Sequence, residues 1–456
     1  MSDSYQNPTI DGVTFYAMLQ NGYRNLSRNM SIIDELNVFP VPDGDTGKNM
    51  TRTLLGGISA IETPDKSVGV MMKAFSRGTL MSARGNSGVI SSQIIRGLKD
   101  GCLGHDTLDI DEFLDILEAG VKRSYASVPN AVEGTILTVM REATEYAKAH
   151  RSDMTDHISC LRIVLTGMKE SLAHTPELLP VLKNAGVVDS GGAGLVCIFE
   201  GMLMELEGKT LTDADGMSLD AADFHIHEDR PVREHVRYAT IAVANGPGIA
   251  DYFTNAGIDL IIDGGQTQNP AASDFLRAFR ELNADYIIVF PSNSNIIMTA
   301  EQAAEMYHEA DVRVIHTHSI AETYSSLSLM DPDIPTIEQL VEELTYYLPN
   351  VTTGYVTTAT RDTIMNGIQV TEGHYIGLTS DTIYSDSTDK LEAAKSLLLA
   401  IPSISDKEAI TIFYGADVSE EEAGELIALI NGIDPMIDVG TVNGGQEVYS
   451  FIMAIE

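Results

Sequence analysis

The chain has 456 residues, enough for two or three domains, and 44% hydrophobic residues, enough for packed cores. Its formal net charge is −37 at pH 7, from 29 Lys and Arg against 66 Asp and Glu. This charge argues against nucleic acid or an anionic membrane as a main partner, because both would repel the chain.

The N-terminal segment, the cysteines and the apolar runs bear on the cell compartment. The opening MSDSYQNPTIDG is polar and acidic, which predicts no signal peptide. The three cysteines include no CxxC pair, so we expect a reducing cytoplasm and no disulfide framework. No apolar run approaches the ~18 residues of a membrane span, and we expect no membrane insertion.

The first part of the chain is a succession of helical patterns. FYAMLQNGYRNL places five large side chains on one helical face: Phe15, Met18, Leu19, Tyr23 and Leu26. The same spacing follows in VGVMMKAFSRGTLM, GVISSQIIRGL, FLDILEAGVKRSYA, GTILTVMREATEYA, ISCLRIVLTGMKESL and AGLVCIFEGMLMELEG, with short Gly, Asp or Pro breaks. These patterns predict an all-α domain of about eight helices over residues 12–207.

The second part of the chain has a different sequence pattern. An acidic segment without a steady period, residues 208–237, is typical of a linker. After it, short β-branched runs such as YATIAVANG, DLIIDGG, DYIIVFPS and VRVIHTHS alternate with helical stretches. This alternation predicts βαβ units, and therefore an α/β domain over residues 238–456 of a multidomain protein.

Within the helical part, NVFPVPDGDTGKNM places Asp43 and Asp45 just before an amphipathic run. Neighbouring carboxylates repel, so an ordered pair needs a cation or protons. Oxygen ligands favour magnesium, and Asn37 supplies a third oxygen. Thr46 is predicted to cap the following helix, whose first free N–H groups attract phosphate. The stretch therefore predicts a metal site beside an anion site.

Three other interpretations of this stretch compete with the metal site. An EF-hand needs Glu at the twelfth loop position, where this chain has Leu54. A P-loop needs Gly and Ser or Thr where this chain has Pro42 and Asn49, and no strand precedes it. A solvated acidic turn that caps a helix stays open as the structural alternative.

Three more helix starts carry small or polar residues. ARGNSGVI has Asn86 and Ser87 at predicted cap positions, and its glycine loop can form an anion nest. VEGTILTV brings residues 133–135 to a second helix start, and AGVVDSGGAGL brings Asp189 to a third. Together with the Asp43 loop, these four starts suggest that helix N-termini converge on a phosphate-rich ligand.

NVFPVPDGDTG, ARGNSGV, VEGTILTV and GVVDSGG resemble the DhaL-type nucleotide-binding domain of the dihydroxyacetone kinase family. The chain as a whole resembles the ATP-binding subunits of bacterial fatty acid kinases. In the second half the likeness rests on DLIIDGGQTQNPAASDFL, IIVFPSNSNIIMTAEQAA, TRDTIMNGIQV, AITIFYGADVSEEEA and GGQEVYSFI. The resemblance implies a barrel of eight antiparallel helices that holds Mg–ATP or Mg–ADP at one end.

The resemblance also assigns residues of this chain. Magnesium, as two ions, would be held by oxygen ligands, with the two aspartates as catalytic residues: Asn37, Asp43 and Asp45. Contacts to phosphate would come from two helix starts: Thr46, Asn49, Asn86, Ser87 and Gly88. Four further residues would lie near the nucleotide: Glu133, Gly134, Thr135 and Asp189.

The chain departs from the family pattern in three places. Lys48 stands where the family has a small hydroxyl residue, and VIHTHSI replaces its Pro-Thr-Lys. Only ~30 residues occupy the place of a middle domain of about a hundred. The chain keeps an H-x-H pair there, His225 and His227, and His316 and His318 form another. For both pairs a strand, turn or linker is favoured over a metal site.

The function implied is transfer of the γ-phosphoryl group of ATP to a fatty-acid carboxylate. A separate lipid-binding protein would present the acid, and the C-terminal domain would serve docking or homodimerisation. Two alternatives stay open. One is a scaffold that binds ADP or ATP and regulates a partner without turnover. The other is a kinase of the dihydroxyacetone type, against which the long C-terminal half counts.

Overall fold

The computed structural model describes residues 9–39, 43–128, 131–212, 234–265, 268–331, 333–365, 367–380, 382–402 and 404–456. These residues form two compact units. One is helical and contains the described residues up to 212 together with residues 271–273, and the other contains the described residues of 234–270 and 274–456. His225 and His227 lie outside the described residues.

The helical unit contains ten helices among its described residues. They are α1 (Gly12–Arg28), α2 (Met30–Glu35), α3 (Thr46–Ser59), α4 (Val68–Ser82), α5 (Gly85–Cys102), α6 (Ile110–Ser127), α7 (Ile136–Ala149), α8 (His157–Leu178), α9 (Pro180–Ala185) and α10 (Ser190–Leu206). Eight have at least 14 residues, whereas α2 and α9 have six each. The eight long helices match the predicted number.

The all-α prediction is wrong at one point. Two short strands, β1 (Ile10–Asp11) and β2 (Thr107–Leu108), pair in antiparallel fashion. A two-residue strand is too short for a periodic pattern to reveal it.

Among the described residues no helix combines the length and the apolar character that crossing a bilayer requires. All three cysteines are free thiols.

Helix starts and one apolar face explain how this unit forms. The five residues predicted to share a face of α1 are all buried in one core: Phe15, Met18, Leu19, Tyr23 and Leu26. Asp11 caps α1 by accepting the Thr14 N–H at 2.8 Å. Asp109 caps α6 and Asp156 caps α8, each in a reciprocal capping box. The caps set where each helix begins, and burial of the apolar faces stabilises the helices against one another.

The second unit begins with a parallel sheet of four strands. They are β3 (Val236–Ala244), β4 (Leu260–Asp263), β5 (Ala284–Phe290) and β6 (Asp311–Val314), in the order β4-β3-β5-β6. Helices α11 (Pro247–Asn255), α12 (Ala272–Glu281) and α13 (Ser294–Met306) connect them. In the register, Ile241 pairs with Leu260 on one side and Val289 on the other. The predicted βαβ units are therefore confirmed in this sheet.

A second, mixed sheet follows helices α14 (Ile320–Leu327) and α15 (Ile337–Tyr346). Its strands are β7 (Thr352–Thr358), β10 (Tyr375–Leu378), β11 (Ile383–Ser387), β12 (Ala409–Tyr414), β13 (Asp438–Asn443) and β14 (Tyr449–Ile455). A separate hairpin joins β8 (Thr363–Met365) to β9 (Ile368–Val370), and α16 (Lys390–Ala400) and α17 (Glu420–Ile433) complete the unit. Only β12 and β13 pair in parallel, around α17; the other pairs are antiparallel.

Candidate active site

The turn that carries Asp43 and Asp45 leads directly into α3. Gly44, between them, has φ of 64°, a left-handed conformation that favours glycine. Asn37 is buried just after α2, and its Nδ2 donates to Asp43 Oδ1 at 2.7 Å. The structure therefore places the three predicted metal ligands next to one another, and their binding of a metal stays a prediction.

The carboxyl groups of Asp43 and Asp45 lie close enough for each to affect the charge of the other. Burial, helped by the charge of Asp45 and a hydrogen bond between the two carboxyls, raises the pKa of Asp43 to about 8. A carboxyl with so high a pKa holds a proton at neutral pH unless a cation replaces it. Two carboxylates and an amide that can present its oxygen form an oxygen-only donor set, which fits magnesium.

Thr46 does not cap α3, contrary to the prediction. Asp45 occupies the N-cap position and Thr46 is the first helical residue, so the Thr46 side chain points away from the first turn's N–H groups. Its hydroxyl instead lies 3.3 Å from Ser87 Oγ and accepts a hydrogen bond from Ser190 Oγ at 3.1 Å. The hydroxyl of Thr46 thus connects the starts of α3, α5 and α10.

The N–H groups at the start of α3, predicted to be free for phosphate, are also partly taken. Asp34 Oδ1 accepts from the Gly47 N–H at 2.7 Å and from the Lys48 N–H at 3.2 Å. Burial raises the pKa of Asp34, although these bonds and the charge of Lys48 oppose that rise. Lys48 Nζ lies 4.0 Å from Asp34 Oδ2, and its side chain is 55% exposed. A carboxylate of this chain therefore already lies against the positive end of α3.

At the start of α5 the predicted caps are again displaced by a residue or two. Arg84 is the N-cap, and Asn86 and Ser87 are the second and third helical residues. Gly88 lies where α5 crosses α3, because a Cβ there would be 2.6 Å from Thr53 Oγ1 and 3.4 Å from Asn49 O. This crossing brings the predicted phosphate contacts of α3 and α5 together.

The starts of α7 and α10 are joined by Asp189. Its carboxylate caps α10 by accepting the Gly192 N–H at 2.7 Å, and it also accepts the N–H of Ile136, the first residue of α7. Burial raises the pKa of Asp189 to about 6, although both N–H groups oppose the rise. With the Thr46 hydroxyl contacts, this link brings the starts of α3, α5, α7 and α10 together; their binding of a nucleotide stays a prediction.

Glu133, just before α7, lies in a network that the sequence did not indicate. Its carboxylate accepts from Tyr125 Oη at 3.0 Å, Thr138 Oγ1 at 2.7 Å and Arg141 Nη2 at 2.8 Å. Burial acts to raise the pKa of Glu133, but these three hydrogen bonds bring it below its usual value. The network favours the ionised form of Glu133 and connects this residue to α6 and α7. The Thr135 hydroxyl donates to Val132 O at 2.8 Å and also stays within this loop.

His316 and His318 each contact a different carboxylate. His316 Nε2 is 2.8 Å from Glu301 Oε1, and His318 Nδ1 is 3.0 Å from Glu322 Oε2. Within the described part of the chain, neither histidine belongs to a group of three or more His, Cys, Asp or Glu side chains that could hold a metal ion. Each histidine therefore has its own carboxylate partner, as expected for a turn after β6.

Gly44→Ala is expected to lower the unfolding free energy by about 1–2 kcal/mol, because alanine pays the cost of the left-handed conformation. The strained turn should also displace the two aspartates that are predicted to bind magnesium, and so weaken any magnesium binding roughly tenfold. Gly104→Ala is the matched control, since Gly104 has φ of 87° and an added Cβ meets nothing within 4 Å. Stability is measured by urea unfolding and magnesium affinity by calorimetry, and an equal loss of affinity in both variants would contradict the prediction.

Asp189→Asn is expected to flatten the dependence of stability on pH. Because the pKa of Asp189 is raised from 3.8 to about 6, its contribution is full below about pH 4 and is lost as pH rises through about 6. Wild type should therefore lose on the order of 2–3 kcal/mol relative to the variant across this window. Asn keeps an oxygen acceptor for the cap.

Asp156→Asn is the control with the opposite sign. The Ser159 N–H holds the pKa of Asp156 below its usual value, so its contribution is lost as pH falls. Urea midpoints of the helical signal across about pH 2 to 7 compare the variants, with the Asp189 effect expected above about pH 4 and the Asp156 effect below it. A wild-type slope retained in Asp189→Asn would refute the assignment.

Two family models match the chain in succession. The DAK2 domain matches residues 40–204, and the FakA-like C-terminal domain, a domain of fatty acid kinase, matches residues 239–456. The first covers Asp43, Asp45 and the four helix starts but not Asn37, and the second covers the α/β unit from residue 239 onward.

Solved structures with partial likeness include two from bacteria. DegV, a fatty acid binding protein from Bacillus subtilis, has a TM-score of 0.36 at 11% identity, over 48% of this chain and 99% of DegV. The dihydroxyacetone kinase of C. freundii has a TM-score of 0.36 at 13% identity, over 48% of each chain.

Relatives of known sequence match along almost the full length. Protein YloV of Bacillus subtilis (strain 168) is 34% identical, over 98% of this chain and 99% of YloV. Uncharacterized proteins of Staphylococcus aureus (strain bovine RF122 / ET3-1) and Staphylococcus haemolyticus (strain JCSC1435) are 31% and 30% identical, with the same coverage. The chain therefore belongs to the family of YloV, and it combines a DAK2 domain with a FakA-like C-terminal domain.

Proposed function

We propose that this chain is the ATP-binding subunit of a kinase that phosphorylates the carboxylate of a fatty acid. The observation that carries the proposal is the convergence of four helix starts beside the Asp43–Asp45 pair. The start of α5, which has no side-chain cap, and the hydroxyls of Thr46, Ser87 and Ser190 suit phosphate. The carboxylate pair suits the magnesium that accompanies a nucleotide. Membership of a family with DAK2 and fatty acid kinase-like domains supports the same reaction class.

Each part of the site has a role in this proposal. Asn37, Asp43 and Asp45 hold magnesium, which when bound would neutralise charge on the β- and γ-phosphate oxygens. Thr46, Asn49, Asn86, Ser87 and Gly88 orient the phosphates. Asp189, Gly134 and Thr135 shape the adjacent helix starts, and the Glu133 network holds that loop in place. We also propose that the helical unit forms the barrel of eight antiparallel helices that the resemblance implies.

The pairwise packing of the helices supports the barrel. α1 packs on α10, α10 on α8, α8 on α7, α7 on α6, α6 on α5, α5 on α4, α4 on α3, and α3 on α1. This sequence of neighbours returns to its starting helix. A closed ring of eight long helices leaves one end where several helix starts meet.

The chemistry needs no strong general base. A fatty acid has a pKa near that of Glu, ~4.3, and is already ionised at neutral pH. One carboxylate oxygen attacks the γ-phosphorus, an O–P bond forms, the bond to the β,γ-bridging oxygen breaks, and ADP leaves with that electron pair. The product is an acyl phosphate. Positioning and charge neutralisation, which this site offers, are what phosphoryl transfer requires.

The acid would arrive in a separate fatty-acid-binding protein, and the C-terminal unit would serve docking or homodimerisation. The match to YloV extends over 552 aligned residues, against 456 in this chain. This difference supports the inference that most of a middle domain between the two halves is absent. A cytoplasmic location is part of the proposal.

The test is co-purification of the chain with its partner from the native cell, followed by incubation with Mg–ATP. Acyl phosphate trapped by hydroxylamine as a hydroxamate is the expected product, and partner stripped of lipid is the control. Nucleotide that stays bound without any turnover would favour the regulatory scaffold. Phosphorylation of a small hydroxy-ketone instead of the lipid would favour the dihydroxyacetone-type enzyme.

A further inference from the structure

A cleft of about 510 Å³, counted with its opening to solvent, lies wholly within the α/β unit. Its polar lining comes from the ends of strands and from one later loop, and apolar and aromatic side chains complete it. The lining residues that matter most are Asn245, Ser292, Asn293, Ile320, Val448 and Ile452. The cleft is far in sequence from the proposed phosphate site.

The cleft occupies the position where parallel sheets bind ligands. The chain leaves β3 toward β4 on one side and leaves β5 toward β6 on the other, so neighbouring strands β3 and β5 connect in opposite directions. Crevices at the carboxyl ends of two such strands are the usual ligand sites of open parallel sheets. Asn245 follows β3 directly, and Ser292 and Asn293 follow β5.

The backbone is strained at Ser292, which lines the cleft. Ser292 has φ of 57° and is the one non-glycine with positive φ among the residues that the structure describes. It is held there by a hydrogen bond from its N–H to Thr317 Oγ1 at 3.0 Å and by a 2.9 Å contact of its Oγ with Thr323 Oγ1. Strained residues of this kind concentrate at ligand sites.

The chemistry of the lining selects the class of ligand. It contains no Asp, Glu, Lys, Arg or His among the described residues, although the whole chain carries a charge of −37. An ionic ligand would lose hydration there and would meet no oppositely charged side chain. The half-buried amide side chain of Asn245 makes no hydrogen bond to any described residue, so its oxygen and its N–H groups are both available.

We propose that this cleft binds an uncharged small molecule with an apolar body and a hydroxyl or carboxamide group. The polar group pairs with the amide of Asn245, which offers both an acceptor and a donor. The apolar body lies against Ile320, Val448 and Ile452. This site does not depend on the kinase reaction.

Binding is tested on the full chain with four probes that share one alkyl tail: hexan-1-ol, hexanamide, hexanoate and hexylammonium. Methyl NMR signals of Ile320 and Ile452 report occupancy. The alcohol and the amide are expected to shift these signals saturably, with affinities roughly tenfold or more above those of the two ions. Equal or tighter binding of either ion, or no binding of both neutral probes, overturns the proposal.

Substitutions of two lining residues test whether the probes bind in the cleft. Asn245→Leu is expected to weaken binding of hexanamide by about tenfold, the effect of one lost hydrogen bond, whereas Asn255→Leu, on the exposed end of α11, should not. Val448→Phe narrows the opening and should abolish binding, with Val236→Phe as control, because both valines are exposed and only Val448 lines the cleft. Wild-type affinity in both Asn245→Leu and Val448→Phe contradicts the site.

Discussion

Asp43→Asn and Asp45→Asn are each expected to lower magnesium-dependent ATP turnover by at least about a thousandfold while the helical unit stays folded. Asparagine keeps the shape of the side chain and removes one negative charge from the turn. The remaining carboxylate and Asn37 would then supply too little charge to hold magnesium against its hydration. Turnover is measured as ADP release, and folding by circular dichroism.

The same substitution of Asp43 should stabilise the protein when magnesium is absent. The raised pKa of Asp43, about 8, means that its contribution to stability is lost as pH rises from about 4 through 8. Comparison of Asp43→Asn with wild type is therefore most informative at about pH 8 to 9, where removing the second charge should raise stability by at least about 1 kcal/mol. Added magnesium should stabilise wild type and leave the variant unchanged.

The matched control is Asp106→Asn, an exposed aspartate in the same unit. It should change neither turnover nor the response of the melting temperature to magnesium. Full activity in both Asp43→Asn and Asp45→Asn would contradict the proposal that these two aspartates bind magnesium. Loss of activity together with an unfolded circular dichroism spectrum would instead show that the turn is structural.

The helical unit was predictable from the sequence because its signal is local. Each long helix repeats apolar residues at helical spacing, and residues such as Phe15 and Leu26 are buried where that spacing places them. The mixed sheet was not predictable in the same way. Its strands β10 and β11 have only four and five residues, and their antiparallel pairing with each other and with β7 leaves no periodic pattern in the sequence.

The candidate site likewise contains residues that the sequence indicates and residues that only the tertiary structure reveals. Asp43 and Asp45 could be chosen because an acidic pair beside a helix start demands a chemical reason. Asp34 was missed, since its contact with the Gly47 and Lys48 N–H groups depends on where α2 lies relative to α3. Ser190 was missed although its neighbour Asp189 was named, because only the tertiary structure places its hydroxyl against Thr46.

Thr46→Val is expected to raise the KM for ATP roughly 10- to 100-fold with a smaller effect on kcat. Valine matches threonine in shape, so the change removes one hydroxyl and little else. That hydroxyl contacts Ser87 Oγ at 3.3 Å and Ser190 Oγ at 3.1 Å, and it connects three of the helix starts proposed to hold phosphate. Its loss leaves two hydroxyls free to turn away and removes a donor from the phosphate site.

Thr51→Val on the same helix separates affinity from stability. Thr51 is fully buried, and its Oγ1 has no hydrogen-bond partner among the described residues, so valine should leave stability equal or higher and the KM for ATP unchanged. Steady-state kinetics and thermal melts on both variants decide the question. A KM for ATP that stays at the wild-type value in Thr46→Val would mean that the hydroxyl contacts hold helices together and do not bind phosphate.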